Sequence, residues 1–306
     1  MRGAVGAGEE TRARVKRAAD EIGYRPDLHA RRLRQHRTKL VGMMFTAGQE
    51  FHADLVDGVY VAADALGYDV VLSAVTPHRD EARAVRTLVD DRCEGLVLVG
   101  PRLPTRALTD LASQVPLVVV ARRIRGVDAV RSDDTAGAAL GVEHLVGHGH
   151  HRILYLDGGT APGGAERLRG YRAAVRAAGL AEWVRPGGLT ERDGAAAAAG
   201  MLESGELPDA VFAFNDRCAL GVLDVFIRSG IAVPQQISVM GFDDSPLAGL
   251  AHIDLTTVRQ DSAGLARAAT QRLAARLDGS ADDGRSVDIV CEPTLVVRGS
   301  TEPSRR

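Results

Sequence analysis

Short apolar runs alternate with helical segments along most of this chain. The first four runs are "LVGMMF", "DVVLSA", "GLVLV" and "PLVVV", and the helical segments between and after them cover 51–67, 79–91, 104–114 and about 134–147. Strands and helices in this order form mainly parallel sheets, because each helix carries the chain back to the start of the next strand. The pattern predicts an α/β fold with a doubly wound sheet.

The alternation starts again after the run "HHRILYL". Helical patterns follow near 165–179, 191–203 and 216–229, with the strands "AVFAF" and "ISVMGF" among them. A second doubly wound lobe fits this count, and a length of 306 residues is typical of about two domains. Aromatic residues make up only 4% of the chain, so Ala, Val and Leu must fill the core. Ligands of such sheets bind beyond the carboxyl ends of the strands, and in two lobes these ends can face one cleft.

Composition excludes several other classes of protein. The apolar runs fall far short of the roughly 20 residues that span a bilayer, and the first residues lack the apolar core of a signal peptide. We therefore expect a cytoplasmic protein with no membrane segment. Cys93, Cys218 and Cys291 are few and widely spaced, which is typical of reduced thiols and not of a disulfide framework.

The charge is distributed unevenly along the chain. Residues 1–39 carry eleven Arg and Lys against five Asp and Glu, a net charge of +6, although the whole chain has a net charge of −2. Two interpretations fit a basic arm before an acidic body: a solvated terminal segment, or an arm that binds the phosphates of a nucleic acid.

Polar side chains follow several strands of the second half. Asn215 comes directly after a strand, Asp216 stands where it could cap the next helix, and Asp243 and Asp244 follow another strand. Arg167 lies near the start of an amphipathic helix after a glycine-rich loop, and its guanidinium could bridge two ligand oxygens. These groups suit a ligand rich in hydroxyls; the alternative is that the aspartates only cap helices and that Arg167 forms a surface ion pair.

Taken together, the motifs resemble the lactose-repressor/galactose-repressor family of bacterial transcription regulators. The resemblance runs from about Gly8 to the end of the chain, and it is carried in order by "ETRARVKRAADEIGYRPD", "ARRLRQHRTKLVG", "GVEHLVGHGHHRI", "RLRGYRAA", "AFNDRCALGVL", "ISVMGFDDSPLA" and "LTTVRQDSAGLARAA". It implies a DNA-binding headpiece, a hinge helix and a two-lobed body like that of periplasmic sugar-binding proteins. It also implies a homodimer, operator DNA as one partner and a small effector, a sugar or nucleoside, as the other, with no enzymatic activity and no cofactor.

The resemblance divides the chain into four parts. It places part of the headpiece and the hinge helix in 1–39, the first lobe in 40–131 and 261–286, the second lobe in 132–260 and 287–300, and a tail in 301–306. The helical stripe at 11–22 matches the third helix of the headpiece, and "LHARRLR" at 28–34 matches the hinge helix. Seven residues cannot hold a helix alone in water, so the hinge should order only when two copies pack in a minor groove.

The DNA-binding residues follow from the same match. Leu33 takes the position of the leucine that the family wedges between base pairs. The full predicted set is Arg25, Ala30, Arg31, Arg32, Leu33 and Arg34. Only "MRGAVGAGEE" precedes the third helix, where the family has a recognition helix. We expect a start codon assigned too far downstream; the alternative is a cytoplasmic sugar sensor without specific DNA binding.

The effector-binding residues are carried over one position at a time. The predicted set is Phe51, His52, Arg122, Arg167, Asn215, Phe242, Asp243 and Gln260. The chain departs from the family at His52, where many members have a second aromatic ring, and at Ala121, where many have Asp or Gly. The identity of the effector therefore does not transfer.

Three other patterns in the chain predict no site. The histidines of "HLVGHGHHR" lack a carboxylate or cysteine that would complete a metal site. The loops "GAVGAG" and "GGTAPGG" lack the strand or the Lys-Ser/Thr ending of a phosphate loop. Neither Ser245 nor Ser262 stands in a nucleophile-elbow pattern. An enzyme on a doubly wound fold is the least supported interpretation.

Overall fold

The computed structural model of the chain describes residues 8–21, 37–281 and 285–301. Its helices are α1 Glu9–Glu21, α2 Glu50–Ala65, α3 Glu81–Asp90, α4 Thr105–Ala112, α5 Asp134–Gly147, α6 Gly164–Ala177, α7 Glu191–Ser204, α8 Asp216–Arg228 and α9 Ser262–Leu277. Its strands are β1 Leu40–Thr46, β2 Asp69–Val75, β3 Gly95–Val99, β4 Leu117–Val120, β5 Asp128–Ser132, β6 Ile153–Asp157, β7 Val184–Pro186, β8 Ala210–Ala213, β9 Ser238–Met240, β10 Thr257–Arg259, β11 Asp288–Cys291 and β12 Thr294–Val296. A short 3₁₀ helix covers Pro246–Gly249.

Two parallel sheets, each covered by helices, confirm the predicted α/β fold with two doubly wound lobes. The sheet of the first lobe has the order β11-β5-β4-β3-β1-β2, and that of the second lobe has the order β7-β6-β8-β9. All the described pairings within these two sheets are parallel. The buried runs of β3 and β4 have no polar position because helices cover both faces of the sheet.

The structure corrects one predicted domain boundary. The second lobe was predicted to resume at residue 287, but β11 pairs with β5 of the first lobe, in the register Ile289 to Val130. The chain therefore returns to the second lobe only after Cys291, where β12 pairs antiparallel with β10. The rest of the predicted division was drawn from the family alone and stays a prediction.

Helices of the second lobe lie unusually close together. A Cβ atom added at Gly194 of α7 would lie 2.0 Å from the carbonyl oxygen of Cys218, and one added at Gly221 of α8 would lie 1.9 Å from that of Glu191. Only glycine allows two backbones to approach this closely. The run "AAAAAG" in α7 thus matches the small space between these helices.

Several elements were not predicted from the sequence. They are the short strands β5, β7, β10, β11 and β12 and the 16-residue helix α9. The predicted helix at 11–22 corresponds to α1, whereas the predicted hinge helix and the DNA-binding residues Arg25, Ala30, Arg31, Arg32, Leu33 and Arg34 lie outside the described residues. Among the helices that are described, none is long and apolar enough to cross a membrane.

Candidate ligand-binding site

A cavity of about 250 Å³ lies between the two lobes, at the carboxyl ends of their strands. This is the position that a doubly wound architecture favours for a ligand. The first lobe contributes the loop after β1, the start of α2 and the loops after β3 and β4. The second lobe contributes the starts of α5, α6 and α8 and the loop after β9. The polar and charged lining residues are Thr46, Gln49, His52, Glu81, Arg102, Asp134, Arg167, Asn215, Asp243 and Gln260.

Six of the eight predicted effector-binding residues line this cavity. They are Phe51, His52, Arg167, Asn215, Asp243 and Gln260. The other two lie elsewhere. Phe242 is fully buried behind Arg167, with its ring centroid 3.6 Å from the guanidinium carbon, because it belongs to the core of the second lobe. Arg122 points away from the cavity and donates to the carbonyl oxygens of Pro101 and Leu103, at 2.8 Å each.

Arg167 is held rigidly in the wall of the cavity. Its Nε donates to Oδ1 of Asp134 at 2.7 Å, and its Nη1 donates to the carbonyl oxygen of Phe214 at 2.7 Å. The guanidinium lies between the rings of Phe214 and Phe242. Burial acts to lower the pKa of Arg167, but the carboxylates of Asp134 and Asp243 raise it above its usual value. The side chain is a fixed cation with its Nη2 turned towards Asp243, at 3.7 Å.

Asp243 follows β9 in a backbone conformation that favours glycine, with φ of +116°. Its Oδ1 accepts a hydrogen bond from Nε2 of Gln260 at 2.7 Å. Burial raises the pKa of Asp243 to about 6, although Arg167 and the hydrogen bond from Gln260 act in the opposite direction. Strained, incompletely neutralised groups of this kind cluster at functional sites.

The capping role predicted for Asp216 was wrong. Asn215, and not Asp216, caps α8: its Oδ1 accepts from the backbone N–H of Cys218 at 2.9 Å. Asp216 is buried below, where it accepts from the backbone N–H of Ser245 at 2.7 Å and from the hydroxyl of Thr257 at 2.6 Å. Burial and the charge of Asp243 raise the pKa of Asp216 to about 8. The carboxylate thus ties the loop carrying Asp243 to α8 and β10.

The first lobe supplies an imidazole whose tautomer is fixed. Nδ1 of His52 accepts a hydrogen bond from the backbone N–H of Thr46 at 3.0 Å, which places the ring proton on Nε2. Burial lowers the pKa of His52 to about 4, so the ring is neutral at physiological pH. Phe51 meets it edge to face, at 6.2 Å between the ring centroids. The pair presents one N–H donor and one apolar ring to a ligand.

Sequence reasoning missed Asp134 and Phe214, which complete the surroundings of Arg167. Asp134 is the first residue of α5, and only its N-cap Asp133 separates it from β5, a strand that the sequence pattern did not predict. Phe214 was included only as the last residue of a predicted strand. An aspartate at the start of a predicted helix was the signal that could have identified Asp134.

The predicted absence of a metal site at the histidines was argued from the missing ligands. In the structure, Nε2 of His144 lies 2.8 Å from Oγ1 of Thr301, and Nδ1 of His148 lies 2.8 Å from the carbonyl oxygen of His144. Both histidines are therefore engaged within the second lobe. The loop "GGTAPGG" lies at the start of α6, beside the cavity.

Comparison with known proteins gives consistent matches over nearly the whole chain. Residues 142–301 match the family described as periplasmic binding protein-like domain. The chain is 32% identical over 304 residues to the HTH-type transcriptional regulator GalS of Salmonella typhimurium, covering 95% of this chain and 88% of GalS. A solved transcriptional regulator CelR–cellobiose complex is similar at 31% identity with a TM-score of 0.78, covering 97% and 93%. The Lac repressor dimer bound to operator and the anti-inducer ONPF is similar at 27% identity with a TM-score of 0.85, covering 98% and 92%.

Proposed function

Because this chain belongs to the lactose-repressor/galactose-repressor family of transcription regulators, we propose that it is a repressor controlled by a saccharide that binds between its two lobes. It acts as a homodimer on operator DNA, and therefore in the cytoplasm. The residues proposed to contact DNA are those predicted from the sequence, with Leu33 as the wedge. No step of catalysis is assigned to it, and the proposed ligand is an effector and not a substrate.

The observation that carries this proposal is the pairing of Arg167 with Asp243 at the wall of the interlobe cavity. A fixed guanidinium donates to ligand oxygens, and a carboxylate beside it accepts from ligand hydroxyls. Vicinal hydroxyls of a sugar offer both kinds of group within one ring. The cavity of about 250 Å³ is slightly smaller than typical ligand sites, which span roughly 300–1,000 Å³. CelR, with a similar fold, is known in complex with cellobiose.

Such a ligand would connect the two lobes. Arg167 and Asp243 belong to the second lobe, whereas Phe51 and His52 belong to the first. A ligand that contacts both sets stabilises one relative arrangement of the lobes, by its difference in affinity for that arrangement over others. Arg217 of α8 already bridges them, since it donates to the carbonyl oxygen of Gly48.

The test is calorimetry of the full chain with a panel of monosaccharides, disaccharides and nucleosides. We expect at least one of these compounds to bind. Asp243→Asn should weaken its affinity about 100-fold, because a charge-assisted hydrogen bond and its geometry are lost together. Asp224→Asn, on the exposed side of α8, is the matched control and should bind normally. Arg167→Gln should abolish binding, whereas Arg172→Gln on the exposed side of α6 should not.

Binding of the ligand should also change the affinity for DNA. Fluorescence anisotropy with promoter DNA from the protein's own gene, with and without the bound saccharide, measures this coupling directly. If Asp243→Asn and the parent protein bind the saccharide with equal affinity, the saccharide does not bind in this cavity. A bound saccharide that leaves the DNA affinity unchanged would remove the regulatory role.

A further inference from the structure

A second and larger cavity, of about 870 Å³, opens beside the first between the same two lobes. The two cavities share part of their walls: Arg102, Ala121, Asp134, Ala161 and Pro162 line both. Ala121 stands at the junction and adds neither charge nor bulk. A ligand held by Arg167 and Asp243 in the first cavity can therefore extend into the second.

The second cavity is lined by more cations than anions. Five arginines face three carboxylates, in a chain whose net charge is −2. The arginines are Arg102, Arg122, Arg123, Arg131 and Arg169, and the carboxylates are Asp133, Asp134 and Glu166. Protein partners account for only part of this charge. Arg123 and Arg131 share one carboxylate, that of Asp288, and Arg169 pairs with Glu166.

Arg102 and Arg122 remain without a carboxylate partner among the described residues. The Arg102 guanidinium makes no hydrogen bond or ion pair within the part of the chain that the structure describes, and its side chain is exposed to the cavity. The guanidinium of Arg122 is anchored by backbone carbonyl oxygens alone, which do not neutralise its charge. Both stand on first-lobe loops, opposite the first turn of α6.

The loop that carries Arg102 is itself fixed. The carboxylate of Glu81 accepts from the backbone N–H groups of Arg102, at 2.7 and 2.9 Å, and of Leu103, at 2.8 Å. The side chain of Arg102 thus projects from an ordered backbone, and the carboxylate of Glu81 is occupied by backbone donors. Preorganised donors of this kind lower the cost of ordering when a ligand binds.

From this arrangement we propose that the effector is an anionic sugar, whose phosphate or carboxylate group lies in the second cavity against Arg102 and Arg122. The planar guanidinium matches both anions with paired hydrogen bonds. The neutral ring lies in the first cavity against Arg167, Asp243 and Phe214. This inference rests on the proposed saccharide site and names the class of saccharide.

The experiment is calorimetry of the full chain with matched sugars: glucose, glucose 6-phosphate and glucuronate, ribose and ribose 5-phosphate, and the neutral disaccharide cellobiose. We expect an anionic sugar to bind at least about tenfold more tightly than its neutral parent, as a charge-assisted hydrogen bond supplies. The advantage should shrink at high ionic strength. Preference for the phosphate ester or for the carboxylate distinguishes the two sources of the anion, and either supports the proposal.

A pair of variants tests whether the tighter binding of the anionic sugar arises in the second cavity. Arg102→Gln should reduce the ratio of anionic to neutral affinity to about threefold or less. Arg106→Gln, whose exposed side chain pairs with Asp110 outside both cavities, is the matched control and should keep the parent ratio. Since the Arg102 side chain has no protein partner among the described residues, its loss should not unfold the protein.

The outcomes separate this inference from the proposed function. If a neutral sugar or cellobiose binds as tightly as any anionic sugar, or if the anionic advantage survives in Arg102→Gln, the inference is wrong and the saccharide site stands. If no sugar of either kind binds, the proposed function fails together with the inference.

Discussion

The two lobes differ in how completely their buried carboxylates are paired with cationic side chains. In the first lobe, Asp128 is 1% exposed and accepts from the guanidinium groups of Arg272 and Arg276 and from the backbone N–H of Val287. Burial acts to raise the pKa of Asp128, but these hydrogen bonds lower it below its usual value. The carboxylate is fully partnered within its own lobe, where it joins β5 to α9.

In the second lobe, several carboxylates compete for one arginine. Asp134 holds Arg167 at 2.7 Å, whereas Asp243 stands 3.7 Å from it and Asp216 has no cation in contact among the described residues. Burial raises the pKa values of Asp243 and Asp216, to about 6 and about 8, and the charge of Asp243 adds to the shift of Asp216. The first lobe thus surrounds its buried carboxylate with cationic partners, whereas the second lobe buries carboxylates without a full set of such partners, at a cost in stability.

The hydrophobic cores of the two lobes also differ, in the kind of side chain that fills them. Within the described part of the chain, the fully buried aromatic side chains all belong to the second lobe: Tyr155, Tyr171, Phe212, Phe226 and Phe242. The first lobe is filled mainly by Val, Leu and Ala. The rings of Tyr155 and Tyr171 stack 4.9 Å apart, and Phe242 of the same cluster lies against the guanidinium of Arg167.

The strongest test of the contrast between the two lobes is to remove the fully partnered carboxylate of Asp128. Asp128→Ala should cost about 3–5 kcal/mol in the free energy of unfolding, since it leaves two arginines facing a buried gap. Asp288→Ala is the control, because Asp288 pairs with Arg131 and Arg123 near the surface and should cost less than about 1 kcal/mol. Urea unfolding measures both. Equal losses would mean that the Asp128 cluster is no more than a surface ion pair.

A second prediction concerns the close packing of helices in the second lobe. Gly194→Ala should cost about 2 kcal/mol or more, because its Cβ would lie 2.0 Å from a backbone carbonyl oxygen and α7 would have to move. Gly200→Ala, in the same helix, has open space around it and should gain about 0.5–1 kcal/mol from helix propensity. Thermal unfolding of the two variants gives the difference. A stabilised Gly194→Ala protein would show that α7 and α8 tolerate separation.

The sequence was sufficient to predict the fold but not all of the site. Long periodic helices and apolar strands such as α5 and β3 were predicted at their observed bounds, because burial of one helical face or of a whole strand leaves a periodic signal. The short strands β5, β10 and β11 carry charged or polar residues at several positions, so no apolar run marks them. The missed return of β11 to the first sheet followed from this.

The site shows the same limit. Arg167 and Asp243 stood out because charged groups beside strand ends are recognisable in a sequence. Neighbouring residues at the end of a strand point in different directions, and the sequence does not reveal which of them faces a cavity. Phe242 and Asp243 are neighbours, yet the first packs into the core and the second faces the cavity. Likewise Asn215 took the capping role expected of Asp216, because it precedes the helix by one position.

The last prediction uses pH to separate the effect of the Asp243 charge on effector affinity from its effect on stability. Since the pKa of Asp243 is about 6, effector affinity should fall as the pH drops from 7 to 5, by up to about tenfold per unit below the pKa. The reason is that protonation removes the acceptor for ligand hydroxyls. His52 does not contribute, because burial lowers its pKa to about 4 and it stays neutral throughout. The charged and titratable groups that surround Asp243 are Arg167, Asp134, Asp216 and Glu50.

Stability should respond to pH in the opposite direction at this residue. A folded pKa raised from 3.8 to about 6 means that the folded state binds the proton more tightly than the unfolded state, so the contribution of Asp243 to stability is full in acid and is lost as the pH rises through 6. Measured with a sugar that does not itself titrate between pH 5 and 7, Asp243→Asn should therefore remove the pH dependence of the remaining affinity. The variant should also raise the melting temperature at pH 7. Asp224→Asn should leave both slopes as in the parent protein. Parallel changes of affinity and stability with pH would place the titrating group elsewhere and would break the contrast between the lobes.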